Sequence, residues 1–247
     1  MLIDTTLLGA IKAKMKVVIL IILSSIILCL SIYAQEFKWV RAEFPIQNPK
    51  GTAKYDEYHL EDWDFDMSAD LLMLKELEQA TTIKPEHKVF TVKLENLDEM
   101  VKYPLIFMHA SDYAIFSDSA VKNMREYLNR GGMIFADDCN AGPEGDRFWR
   151  SVKLIFESKV FPGKKFVEIP EDHEIFHCHF EMPLGMPQIV GVSHPFLGLM
   201  DDKGRIMVFL TSADLHCGWS QRQNFPPLKR RQGIKMTINI IVYALTH

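Results

Sequence analysis

Two hydrophobic periods alternate along this chain. Phe37-Lys38-Trp39-Val40-Arg41 switches between apolar and polar residues, the period-two signature of a half-buried strand, so residues 37–41 are read as the first strand. A Pro- and Gly-containing segment from Pro45 to Gly51 and an aromatic, acidic stretch from Tyr55 to Asp66 follow it. Leu71, Leu72, Leu74 and Leu77 then interleave by turns with Lys75 and Glu78, which predicts a helix from an N-cap at Ser68 to about Ala80. Val89, Phe90 and Val92 mark a short strand at 88–92, and the unbroken run Leu105-Ile106-Phe107-Met108 reads as a strand, 105–109, buried on both faces.

The second helix is the clearest local feature. Ser117 caps it, Val121, Met124 and Leu128 form its buried stripe, and Gly131-Gly132 stops it. Met133-Ile134-Phe135-Ala136 follows at once as a strand, 133–137, and strand, helix and strand joined by short connections make a right-handed crossover in a parallel sheet. Residues 146–156 fit another helix, 157–200 read as an irregular insertion with short strands, 205–210 form a late strand, and Met236, Ile240, Ile241, Tyr243 and Ala244 belong to a closing helix. The expected fold class is α/β, a three-layer sandwich with a mostly parallel central sheet plus the insertion.

Val17 to Leu30 stands outside this pattern, being apolar except for Ser24 and Ser25. Lys12, Lys14 and Lys16 precede it and Ala34 ends it, the order of charge, apolar run and small residue that marks an export signal. Met15 begins a more typical signal than Met1 does. Ile32 is large for the position three residues before a cut after Ala34, so residues 1–34 are either a cleaved signal peptide or an uncleaved signal anchor. Leu28 argues against a lipid-bearing Cys29. The organisation expected is therefore an exporting segment, 1–34, and a single α/β domain, 36–247. That domain would be periplasmic or anchored in the inner membrane facing the periplasm, touching the membrane only through residues 17–34.

Composition narrows the function classes. With 48% hydrophobic and 24% charged residues among 247, disorder, collagen and small disulfide scaffolds are excluded. A net charge of −4 and a pI near 6.1 supply no basic surface for a phosphate backbone, which excludes nucleic acid as partner. Beyond the signal only Cys139, Cys178 and Cys217 remain, an odd set that leaves at least one thiol free or bonded to another chain.

Candidate chemistry follows from topology, because ligands of open parallel sheets bind beyond the carboxyl ends of the strands. The residues there are His109-Ala110-Ser111-Asp112, Asp137-Asp138-Cys139-Asn140 and Thr211-Ser212-Ala213-Asp214-Leu215-His216-Cys217. His109, Asp137, Asp138, Asp214 and His216 are thus the candidate ligand-binding residues, and Asp138, Asp214 and His216 the candidate catalytic ones, expected to converge on one crevice. The plainer alternative is that such residues cap helices and fix turns, with Asp138 capping the next helix and His216 at the surface.

Metal ligands could come from His173, His177, His179 and His216 with Asp138 or Asp214, although no H-E-x-x-H or C-x-x-C spacing is present. His177-Cys178-His179 would put two imidazoles on one face of a strand. No cofactor or metal is specified by these spacings. Cys139 sits where a strand-to-helix nucleophile would, but Asp137 occupies a position that needs a small residue, and two neighbouring carboxylates should raise the thiol pKa. Cys178 and Cys217 read as ordinary small residues, and Lys229-Arg230-Arg231 as a solvated loop.

An ordered set of short motifs adds to this. Trp63, Ala80-Thr81-Thr82, Tyr103-Pro104-Leu105-Ile106-Phe107, Leu128-Asn129-Arg130-Gly131-Gly132, Asp137-Asp138, Phe161-Pro162-Gly163, Ile169-Pro170-Glu171-Asp172-His173-Glu174-Ile175-Phe176, Gly204-Arg205, Asp214 with Trp219, and Asn239 to Leu245 resemble, in order and spacing, the bacterial domain of unknown function 4159. The resemblance covers nearly all of 36–247. It implies an envelope-associated domain with a flavodoxin-like or class I glutamine amidotransferase-like sandwich, and no known reaction. In amidotransferase-like folds the nucleophile would fall near Cys139, where the resemblance instead features Asp137-Asp138.

Two functions follow as expectations. The first is a non-catalytic binding or interaction module of the envelope, its partner an envelope protein or a small polar ligand. The second is a hydrolase-like enzyme using Asp137, Asp138, Asp214 and His216 as general acids and bases, with or without a metal.

Overall fold

The computed structural model describes residues 36–47, 63–139, 146–182, 187–190, 193–220 and 224–247. Residues 1–34, read above as an export signal, lie outside them, as do Asn140 and most of the acidic stretch before Trp63. Among the described residues no helix is long and apolar enough to cross a membrane. Lys38–His247 form one compact unit.

In chain order the elements are β1 (Phe37–Glu43), β2 (Ile46–Gln47), α1 (Met67–Ala80), β3 (Pro85–Lys93), α2 (Leu97–Met100), β4 (Leu105–Ala110), β5 (Tyr113–Ala114), α3 (Asp118–Asn129) and β6 (Met133–Asp138). There follow α4 (Arg147–Ile155), a π-helical turn (Phe156–Val160), β7 (Val167–Glu168), a 3-10 turn (Glu174–Phe176), β8 (Leu197–Met200), β9 (Ile206–Thr211), α5 (Leu215–Trp219) and α6 (Pro227–Thr246). Seven strands form one sheet in the order β3-β1-β4-β6-β9-β8-β7. β1, β4, β6 and β9 run parallel, while β8 and β7 add antiparallel pairs at one edge. The fold is the expected α/β sandwich, mostly parallel and consistent with a flavodoxin-like arrangement.

Strand alternation divides the core between the two faces of the sheet. Val40, Ala42, Ile106, Met108, Ile134, Ala136, Val208 and Leu210 pack with Val121, Met124 and Leu128 of α3 and Phe148 and Val152 of α4. On the other face Trp39, Phe107, Phe135 and Phe209 form a chain of ring contacts that Trp219 of α5 joins, and α1 is tied to it through Asp70. Both faces of the central strands are covered, which explains why β4, β6 and β9 are unbroken apolar runs.

Several local expectations need correction. Ser68 does not cap α1: Asp66 holds the N-cap position, in a left-handed conformation with φ 45° and without a side-chain capping bond, and the Ser68 hydroxyl donates to its carboxylate. The insertion, by contrast, carries the short strands expected of it, and β7 and β8 extend the main sheet. Lys229-Arg230-Arg231 lies in the first turn of α6, where Pro227 at the first helical position needs no amide partner and Arg230 donates to the Ser220 and Trp219 carbonyls. His177 and His179 are not on a strand but follow the 3-10 turn. α2 and α5 are too short for any periodicity to reveal them.

Candidate functional site at the carboxyl rim

Parallel register sets the site. His109 of β4 pairs with Asp137 of β6, which pairs with Thr211 of β9, so these side chains share one face at the carboxyl ends. Asp138, one residue on, must face the other way. Its Oδ2 accepts the Trp149 amide at 2.6 Å, in the first turn of α4, a capping bond reached from the neighbouring strand end. Asp138 therefore does not converge with Asp214 and His216. The strand's period of two sends it to the opposite layer, where burial holds its carboxyl well above the usual range.

Asp137 takes the place expected for Asp138. Its Oδ2 accepts the His216 amide at 2.9 Å and so braces the start of α5. Burial foremost, then the Asp214 charge, push its pKa up to about 8. Asp214 caps α5 itself, in a left-handed conformation with φ 53°, accepting the Cys217 amide at 3.3 Å.

Beside it lie His109 and Cys139. One ligand-type atom from each of His109, Cys139 and Asp214 lies within 4.8 Å of the others, and all three residues are buried. Cys139 is the first residue beyond β6, held by its amide donating to the Ala110 carbonyl at 2.9 Å. The Cys217 thiol, from α5, stands beside it as hydrogen-bond donor and lowers the Cys139 pKa to about 7, a shift that burial opposes and His109 assists. Cys217 is correspondingly pushed far up, first by that bond and then by burial. The expectation of a raised Cys139 pKa fails because the Cys217 bond outweighs burial and the Asp214 charge, both of which do push the thiol upward, and Cys217 has no local signal that marks it as a neighbour. Cys217 is thus no ordinary residue of a loop, whereas Cys178 donates to the Asn239 carbonyl far from the rim. None of the three is joined in a disulfide among the described residues.

Neither ring nitrogen of His109 has a hydrogen-bond partner among the described residues. Its Nε2 is 3.9 Å from Asp214 Oδ1, close enough for attraction and too far for a hydrogen bond. Burial opposes charging the ring, but Asp214 and Cys139 outweigh it and raise the pKa to about 10. The His216 ring lies against His109, centroids 4.3 Å apart, yet is committed elsewhere. Arg41 Nη2 is 2.9 Å from its Nε2, and because a guanidinium only donates, that nitrogen carries the lone pair. His216 is fully buried, not at the surface.

Arg41 and Asp70 are functional neighbours that the sequence reading missed. Arg41 Nε and Nη2 meet both Asp70 oxygens at 2.6 and 2.7 Å, Nη1 donates to the Trp63 and Phe65 carbonyls, and Trp39 Nε1 also donates to Asp70. A signal existed. Asp70 falls on the stripe of α1 that buries Ala69, Met73, Leu74 and Leu77, and a charge on a buried stripe requires a partner.

The other histidines proposed as ligands are dispersed. His173 caps the 3-10 turn through its Nδ1, His177 lies between Glu181 and the Glu171 carbonyl, and His179 meets the Ala80 carbonyl. Among the described residues, the one group of three with metal-ligand spacing is His109, Cys139 and Asp214.

No curated protein matches the chain. A family described as "Domain of unknown function (DUF4159)" matches residues 52–245, a span that contains β4, β6, β9 and every residue of the rim cluster. The chain belongs to that family.

Proposed function

We propose that this chain is a binding module of the bacterial cell envelope, exported by residues 1–34, that holds a small polar ligand at the rim formed by His109, Cys139 and Asp214. The observation that carries the reading is the His109 ring, buried at 1% exposure with both nitrogens unmatched by a hydrogen-bond partner among the described residues. Such an arrangement costs folding free energy, and a ligand bonding to the ring offsets that cost. Export is supported by the order of Lys12, Lys14, Lys16, the apolar run and Ala34.

The hydrolase alternative draws less support. Asp137, Asp138 and Asp214 each accept a backbone amide, and His216 is engaged by Arg41, so the proposed acids and bases already serve as braces. In its favour stand Asp137, whose carboxyl burial pushes up to about 8, and, outside that set, the Cys139 thiol lowered to about 7 beside Cys217 and His109.

The purified full chain, melted with and without the small-molecule fraction of an envelope extract, separates the two. A ligand at one hundred times its Kd should add about 2.7 kcal/mol to stability and raise the melting temperature. Chromogenic ester, amide and phosphoester substrates should show no turnover. Turnover lost in Asp214→Asn, with no thermal shift from the extract, would replace binding by hydrolysis.

A further inference from the structure

We propose that His109, Cys139 and Asp214 bind a divalent transition-metal ion of the zinc and cobalt class, a step that rests on the rim being a binding site and names its occupant. One imidazole nitrogen, one thiol sulfur and one carboxylate oxygen form a mixed donor set suited to a borderline ion and poorly suited to calcium or magnesium, which prefer oxygen alone.

Spacing supports this occupant. Bonds of about 2.0–2.3 Å to a tetrahedral zinc ion hold neighbouring donor atoms roughly 3.3–3.8 Å apart. His109 Nε2 and Asp214 Oδ1, at 3.9 Å, are too distant for a hydrogen bond and nearly at the separation of two ligands on one metal. No pair in the group exceeds 4.8 Å, so side-chain adjustments of about 1 Å complete the contraction without moving a strand.

The donors are also firmly held. His109 lies in β4, Cys139 is pinned to β4 by its amide donating a hydrogen bond to the Ala110 carbonyl, and Asp214 is fixed by capping α5. Cys217, the hydrogen-bond neighbour of Cys139, is placed to steady a bound sulfur. The unmatched His109 nitrogens are what a ligand imidazole shows before its metal is in place.

Cobalt(II) titration of the reduced, chelator-treated full chain tests the proposal, because a thiolate on cobalt gives an intense near-ultraviolet charge-transfer band and tetrahedral coordination gives strong visible absorption. One equivalent should bind with both features, zinc(II) should displace it, and Cys178→Ser should leave the spectrum unchanged. Cys139→Ser should remove the charge-transfer band, and His109→Asn and Asp214→Asn should each weaken binding by at least about 100-fold. Should those variants fail to fold, the wild-type chain still decides: bound metal must protect Cys139, and not Cys178, from alkylation by iodoacetamide. Absence of cobalt binding, or a spectrum indifferent to Cys139, overturns the proposal. An organic mass retained by the wild-type chain without metal, and lost in His109→Asn, overturns the metal while leaving the rim as a binding site. A chain that retains neither overturns both.

Discussion

Arg41 and Asp70 show how a single charged pair organises this rim. Their bidentate contact lies at 1% and 0% side-chain exposure, where an unpaired charge is costly. Because Arg41 also reaches His216, the pair positions the imidazole that lies against His109. Asp70→Ala should destabilise the protein by about 3–5 kcal/mol, since it leaves the guanidinium buried and the Trp39 indole N–H unmatched. Urea unfolding at neutral pH checks the value. A loss below about 1 kcal/mol, as at exposed pairs, would mean that the contact is not desolvated. Arg41 shares its face of β1 with Phe37 and Trp39, so strand alternation turns it inward, and what the sequence hid was its partner, 29 residues away.

At the scale of elements, the turn between α3 and β6 shows local sequence dictating geometry. Gly131 has φ +99°, a conformation that ends the helix and disfavours any Cβ. Gly132 is constrained differently: a Cβ there would meet the Tyr127 ring at 2.3 Å, and that ring is held by its hydroxyl donating to the Tyr103 and Met133 carbonyls. Gly131→Ala should therefore cost about 1 kcal/mol through backbone strain, and Gly132→Ala about 1–3 kcal/mol through overpacking. Thermal melts of the two variants compare them directly. Equal stabilities would show that the Tyr127 contact carries no weight. This turn was legible because Gly131-Gly132 follows a clean apolar stripe. α5 was not, because its five residues form a helix only through capping by Asp214 and bracing by Asp137, a contact across 79 positions.

For the whole molecule, the sequence located the rim but not the facing of its side chains. β4, β6 and β9 announce themselves as apolar runs, and the rule that ligands sit beyond their carboxyl ends singled out His109, Asp137 and Asp214. Whether Asp137 or Asp138 enters the site depends on strand register, which one residue reverses. The pairing of Cys139 with Cys217 depends on how α5 docks, a tertiary fact with no local signature. The proposed function stands or falls on whether the buried His109 ring, whose nitrogens have no hydrogen-bond partner among the described residues, takes up a ligand. Native mass spectrometry of the full chain, purified gently from its native cells, decides this when wild type and His109→Leu are compared at matched stability. One bound species is expected per wild-type chain, with the His109→Leu chain bare and as well folded. Two bare chains, or two chains carrying the same mass, would rule out a ligand held by His109.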